Sequence, residues 1–149
     1  MRTFRLMLLF LVAVSLSACT PQERIVPETS PGATAWVEID ADVLAAKIAA
    51  GDDFILVVSS ETCTSCQEFQ PIVAAMIATY GIVVYKIEAD AGFSGSNHVF
   101  SYSYTPTVAV FDGGVAVASV DPVEQDRPFE SLERLVDWLD RYVVFPTVG

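Results

Sequence analysis

Phe54-Ile55-Leu56-Val57-Val58 passes through a short polar connection into Cys63-Thr64-Ser65-Cys66, and Gln67-Glu68-Phe69 follows at once. A continuous apolar run of this length reads as a strand buried on both faces. From Cys63 onward the period changes. Phe69, Ile72, Val73, Met76, Ile77 and Tyr80 recur at spacings of three and four, which defines one apolar helix face. Gly81 supplies the stop signal. Two cysteines in C-x-x-C spacing on a first helical turn can close a small disulfide with little rearrangement. The free N–H groups and positive dipole end of a helix N-terminus favour a thiolate there. The thiolate is the attacking species in disulfide exchange, so the placement suits reversible thiol chemistry.

The rest of the chain builds outward from this unit. Trp36 to Ile39 reads as a short strand, and Asp40 or Asp42 can cap a helix that runs through Ala50 to Gly51. Pro71 lies inside the cysteine-bearing helix and is expected to kink it. Ile82 to Ile87 is the next strand, and Gly92 to Ser103 is irregular, with room for a short helix. Thr107 to Phe111 and Val115 to Val120 flank Asp112-Gly113-Gly114, a hairpin signal. Pro128 is expected to start a final helix with Leu132, Leu135, Val136 and Leu139 on one face. The order β-α-β-α-β-(irregular)-β-β-α predicts one α/β domain.

The N-terminus points to export. Arg2 and Arg5 precede a near-apolar run from Leu6 to Leu16. That run is too short to span a bilayer, which takes about 20 residues, and reads as a signal-peptide core. The arginines are not adjacent, which argues against twin-arginine export. Leu16-Ser17-Ala18-Cys19 resembles a bacterial lipobox, which implies cleavage after residue 18 and lipid on Cys19. The plainer alternative is an ordinary secretory signal with Cys19 incidental. Parity favours lipid: of three cysteines, Cys63 and Cys66 then form a complete pair, with no odd thiol left over. Residues 19–35, with Pro21, Pro27, Pro31 and Gly32, read as a flexible tether, and residues 36–149 as the folded domain. The expected location is extracytoplasmic, on a bacterial membrane at the cell surface or in the periplasm.

Eight basic and nineteen acidic residues give a net charge of −11, more negative still once Arg2 and Arg5 leave with the signal. Such a balance argues against nucleic acid and against binding anionic lipid through protein charge.

Over residues 36–142 the chain resembles the thioredoxin family, with the Ser-Glu-Thr-Cys-x-x-Cys motif closest to bacteriocin-accessory-type members. The resemblance rests on the C-x-x-C after the second strand, on Pro71 beyond Cys66, on Thr105-Pro106-Thr107 leading into a strand, and on Phe111-Asp112-Gly113-Gly114. It implies a thioredoxin fold, a central mixed sheet flanked by helices. It also implies a Cys63–Cys66 disulfide in which Cys63 attacks and Cys66 resolves. The proline is cis in the family and faces the disulfide, so Thr105 and Pro106 are expected to dock an extended substrate.

The departures are informative as well. Thr62 stands where thioredoxins carry Trp, Thr64-Ser65 replaces Gly-Pro, and Val57 replaces the family's buried acid. Lys86 corresponds to the lysine that accompanies that acid. Its charge would favour a thiolate if it lies near the sulfurs, and otherwise it is a strand-end lysine reaching solvent. Thr62, Thr64, Ser65 and Lys86 are therefore the expected redox-tuning residues.

The function so implied is thiol–disulfide exchange by a membrane-anchored oxidoreductase. Its partners would be exported protein thiols or disulfides and a second redox protein, and it would act as a monomer with no cofactor. Two other readings stay open. A metal site would need ligands beyond Cys63 and Cys66, and His98 is the only histidine. A non-catalytic binding module would hold Cys63–Cys66 as a structural disulfide, although so small a loop constrains the unfolded chain little. Phe100, Tyr102 and Tyr104 alternate before Pro106, as groove-floor or core aromatics, and the tail Val143-Val144-Phe145-Pro146 either packs on the domain or hangs loose.

Overall fold

A computed structural model describes residues 23–89 and 100–147. The expected leader (1–18), Cys19, His98 and most of the irregular segment lie outside the described residues.

The elements follow the expected order: β1 (Val37–Ile39), α1 (Ala41–Ala50), β2 (Phe54–Ser59), α2 (Thr64–Tyr80), β3 (Val84–Glu88), β4 (Thr107–Asp112), β5 (Val115–Val120) and α3 (Leu132–Leu139). They form a mixed five-stranded sheet in the order β1-β3-β2-β4-β5. The first three neighbours run parallel, whereas β4 is antiparallel to β2, and β5 to β4. This is the expected α/β arrangement in one domain.

The apolar run of β2 is unbroken because helices cover both sides of this central strand. Phe54, Leu56 and Val58 face one side, where they pack with Leu44 of α1, Tyr85 and Phe111. Phe54 stacks on Phe111 at 4.4 Å between ring centroids. Ile55 and Val57 face the other side, against Phe69, Val73 and Met76 of α2 and Leu135 and Trp138 of α3. Alternation along one strand thus sends successive side chains into two separate cores.

The hairpin between β4 and β5 forms as expected. Gly113 and Gly114 have φ of 57° and 77°, the left-handed pair that a tight primed turn requires. Gly114 is constrained twice, because a Cβ there would collide with the Ile48 carbonyl and lie 3.2 Å from Gly51 Cα.

Three expectations need correction. First, the stretch read as a flexible tether, residues 19–35, is laid against the domain from residue 23 on. Ile25 is only 3% exposed. Its N–H donates to the Tyr142 carbonyl and its own carbonyl accepts from Val144, both at 2.8 Å. Further along, Val83 N–H donates to the Glu28 carbonyl and Ser30 N–H to the Gly81 carbonyl, both at 2.7 Å. Pro27 is buried, and the Arg24 guanidinium meets the Asp140 carboxylate at 3.2 Å. Prolines that keep a segment out of helices and sheets do not keep it from packing when its few apolar side chains find a groove. The same contacts settle the C-terminal tail, where Val143 is fully buried.

Second, Pro128 does not start the last helix. It is buried in a separate 3-10 turn, Arg127–Phe129, and α3 begins after Ser131, whose hydroxyl accepts from Arg134 N–H at 3.3 Å. A serine that captures a free helix N–H outweighs a proline three residues upstream. Third, Ile82 is not part of β3, because it bridges to Thr29 of the N-terminal strap, the packed residues 23–30. Among the described residues no helix is long and apolar enough to cross a membrane.

Candidate active site

The change from strand to helix places the first cysteine. Cys63 is the N-cap of α2, with extended backbone, and its sulfur takes the position of a capping acceptor, receiving Cys66 N–H at 3.2 Å. Cys63 and Cys66 are joined as a disulfide, their Cα atoms 5.2 Å apart. The two sulfurs differ in access: Cys63 is half-buried, whereas Cys66 is 3% exposed and belongs to the core. A protein approaching from solvent meets Cys63 first.

The Thr105 carbonyl lies 3.4 Å from Cys63 Sγ, brought there by the turn into β4. The Thr105–Pro106 peptide is cis, with Pro106 buried and Thr105 half-exposed. The Ser65 hydroxyl sits between these groups, 3.2 Å from Cys63 Sγ and 3.4 Å from the Thr105 carbonyl. Once the disulfide opens, the Ser65 O–H and Cys66 N–H are donors aimed at the Cys63 sulfur, and donors favour its charged form.

The other expected tuning residues lie elsewhere around the pair. Thr62 is exposed, its hydroxyl 3.2 Å from that of Ser60 rather than against a sulfur. Thr64 is exposed at the first position of α2. Of the aromatics, Phe100 is buried against Phe111, whereas Tyr104 is half-exposed beside the Thr105 turn.

Lys86 is not a solvent-reaching strand end. It is 7% exposed, and its place in the sheet lies between Glu38 of β1 and Val57 of β2. Its ammonium meets the Glu88 carboxylate at 2.7 Å and the Glu38 carboxylate at 3.2 Å. Burial by itself would lower its pKa, but the Glu88 and Glu38 carboxylates hold it above the ordinary lysine value. Glu88 also accepts Glu61 N–H at 2.7 Å, which ties the connection before Cys63 to β3. Gln67 closes the other side of that connection by donating to the Glu61 carbonyl at 2.9 Å.

Lys86, Glu38 and Glu88 line a cleft of about 200 Å³ that opens onto Cys66, with Ser59, Gln67 and Gln70 on its walls. Sequence reasoning singled out Lys86 but neither carboxylate. Lys86-Ile87-Glu88 has the alternation that puts both charges on one strand face, so Glu88 was findable. Glu38 comes from another strand and needed the β1–β3 register. Among the described residues, no group of three or more His, Cys, Asp or Glu is placed to hold a metal.

The fold is similar to a single-site mutant of the thioredoxin of Halobacterium salinarum NRC-1, with a TM-score of 0.57 at 17% identity over 79% of this chain and 97% of that one. It is also similar to the oxidised thioredoxin of Plasmodium falciparum (0.56, 17%, 74% and 100%). A third relative in structure is Trxlp of Edwardsiella tarda EIB202 (0.53, 19%, 69% and 97%). At these identities the likeness speaks for the fold. No curated protein sequence matches the chain. Residues 8–121 match the family described as TraF, F plasmid transfer operon protein. That match spans well over half of the chain, and the protein, thioredoxin-like in fold and cysteine pair, belongs to this family.

Proposed function

We propose that this protein is an extracytoplasmic, membrane-anchored thiol–disulfide oxidoreductase, which exchanges the Cys63–Cys66 disulfide with exported protein clients. The observation that carries the reading is the unequal pair at the head of α2: an accessible Cys63 with two donors and a carbonyl around its sulfur, and a buried Cys66 behind it. A structural disulfide needs no such asymmetry. Export and lipid anchoring are supported by Arg2, Arg5, the Leu6–Leu16 run and Cys19.

In the reducing direction the Cys63 thiolate attacks a client disulfide. One client sulfur leaves as thiolate, and the other is held in a mixed disulfide with Cys63. Cys66 then loses its proton and attacks Cys63 Sγ. The Cys63–Cys66 bond forms, the bond to the client breaks, and the client departs with both sulfurs reduced. Two electrons have passed from the protein to the client, and a second redox protein must return them. The oxidising direction is the reverse. Thr105 offers its backbone carbonyl next to Cys63, where an extended client segment can pair with it.

The reduction potential of the pair, measured on protein beginning at Thr20 in glutathione or dithiothreitol buffers, tests the reading. A value near that of thioredoxin, about −270 mV, would make the protein a reductant, and one nearer −120 mV a disulfide donor. Cys66→Ser should trap a mixed disulfide through Cys63, and Cys63→Ser should abolish exchange. If the pair resists reduction until the protein unfolds, exchange is excluded and a binding module with a structural disulfide takes its place.

A further inference from the structure

We propose that Glu88 accepts the proton of Cys66 in the resolving step, an inference that rests on the exchange reading above. Cys66 must become a thiolate before it can attack Cys63 Sγ, yet it is 3% exposed, and burial disfavours a charged sulfur. Some group must take the proton where the sulfur sits. The cleft behind Cys66 is walled by polar groups from every element around it, and the ionisable ones are Glu38 of β1, Glu61 before α2, and Lys86 and Glu88 of β3.

These four are not equivalent. Lys86 is held protonated by its two carboxylates and cannot accept. Glu38 is 71% exposed along its side chain, and Glu61 is exposed at the rim. Glu88 is 35% exposed and fixed at both oxygens, by Glu61 N–H at 2.7 Å and by the Lys86 ammonium at 2.7 Å. Glu88 shares the walls of this cleft with Cys66, and a fixed carboxylate there can take the thiol proton through water in the cleft.

The step balances. Cys66–SH and Glu88 carboxylate give Cys66 thiolate and Glu88 carboxylic acid. The thiolate then forms the bond to Cys63 Sγ as the client thiolate leaves. Glu88 returns its proton to solvent through the cleft, or to the departing client. The same carboxylate that takes the proton also accepts Glu61 N–H, two residues before Cys63.

An aromatic disulfide such as dithiobis-nitrobenzoate separates the two steps on the full-length reduced protein. The first coloured thiolate appears as Cys63 attacks, the second as Cys66 resolves. Glu88→Gln, which keeps an acceptor for Glu61 N–H, should leave the first phase unchanged and slow the second by about 10- to 100-fold near neutral pH. In a Cys63→Ser background, the same substitution should make Cys66 more acidic by about one pH unit, because a carboxylate beside a thiol opposes its ionisation. A thiol that is more acidic yet slower to resolve is the signature of a lost base. Glu88→Asp, which keeps the charge but draws it back, should slow the second phase less and guards against a glutamine variant that fails to fold.

Unchanged resolution and unchanged Cys66 acidity in Glu88→Gln would overturn the proposal. Equal slowing of both phases would reduce Glu88 to a prop for the loop. Equal slowing of the second phase by Glu38→Gln would assign the effect to the field around Lys86. A wild type that never releases the second thiolate would sink the exchange reading itself, before any substitution is made.

Discussion

Ile25→Ala tests whether the N-terminal segment belongs to the folded unit. Ile25 is 3% exposed and contributes its side chain to the core on the α2–α3 side of the sheet. Buried Ile→Ala substitutions cost about 2–5 kcal/mol, depending on how far the surroundings close over the cavity. Ile25 lies in a strap at the edge of that core, where the surroundings can partly close, and the expected loss is roughly 2–3 kcal/mol. For a domain of this size that corresponds to a fall in Tm of about 10 °C. Urea unfolding of the oxidised protein beginning at Thr20 gives the value directly, at constant m. Val26→Ala, one residue on but 68% exposed, should stay within about 0.5 kcal/mol of wild type. If Ile25→Ala is also that close, the strap is not part of the cooperative unit and the packing argument fails.

Other consequences can be checked more briefly. Ser65→Ala removes one donor from the Cys63 sulfur and should raise the Cys63 thiol pKa by about half to one unit, read from the pH dependence of alkylation in a Cys66→Ser background; no change would mean that the hydroxyl serves the Thr105 carbonyl instead. Gly114→Ala must hold φ near 77° and push against the Ile48 carbonyl, so a loss of about 2–4 kcal/mol is expected in denaturant melts, far more than at an open glycine such as Gly32. Alkaline pH should weaken the fold through three groups. Lys47 is lowered by burial but raised overall by Asp52 and Tyr85, Lys86 is raised by its two carboxylates in the same way, and Tyr85 is raised by burial and by its bond to Glu28. A folded-state pKa above the unfolded value means that the folded protein holds its protons longer. Stability should therefore be intact below about pH 10 and fall as pH rises further, and a flat curve to pH 12 would contradict these assignments.

What could be read from the chain was local. The apolar run of β2, the period of α2 and the Asp112-Gly113-Gly114 turn each carry their cause within a few residues. The C-x-x-C was placed correctly because strand, connection and helix are contiguous. What escaped reading was long-range. Residues 23–30 look like a linker by composition, and only the grooves offered by Tyr142–Val144 and Gly81–Val83 make them part of the domain. Lys86 could be seen as a candidate, but whether it faces water or the cysteine pair depends on which strands flank β3. Glu38 becomes a neighbour of Lys86 only through the β1–β3 register, and nothing in either local sequence announces it. The start of α3 was missed for a different reason: two valid start signals compete, and the choice between them depends on how the turn before the helix packs.

The strap also bears on the lipid-anchored form proposed above. It crosses the Gly81 end of α2, whereas Cys63 sits at the other end of that helix, about 25 Å away for 17 residues. In the proposed lipid-anchored form, residues 24–30, held along the domain, would add no slack of their own between anchor and domain. The reactive end would not sweep a hemisphere as a domain on a long leash does. Less slack would narrow the shell of space in which it meets other molecules and raise its effective concentration there.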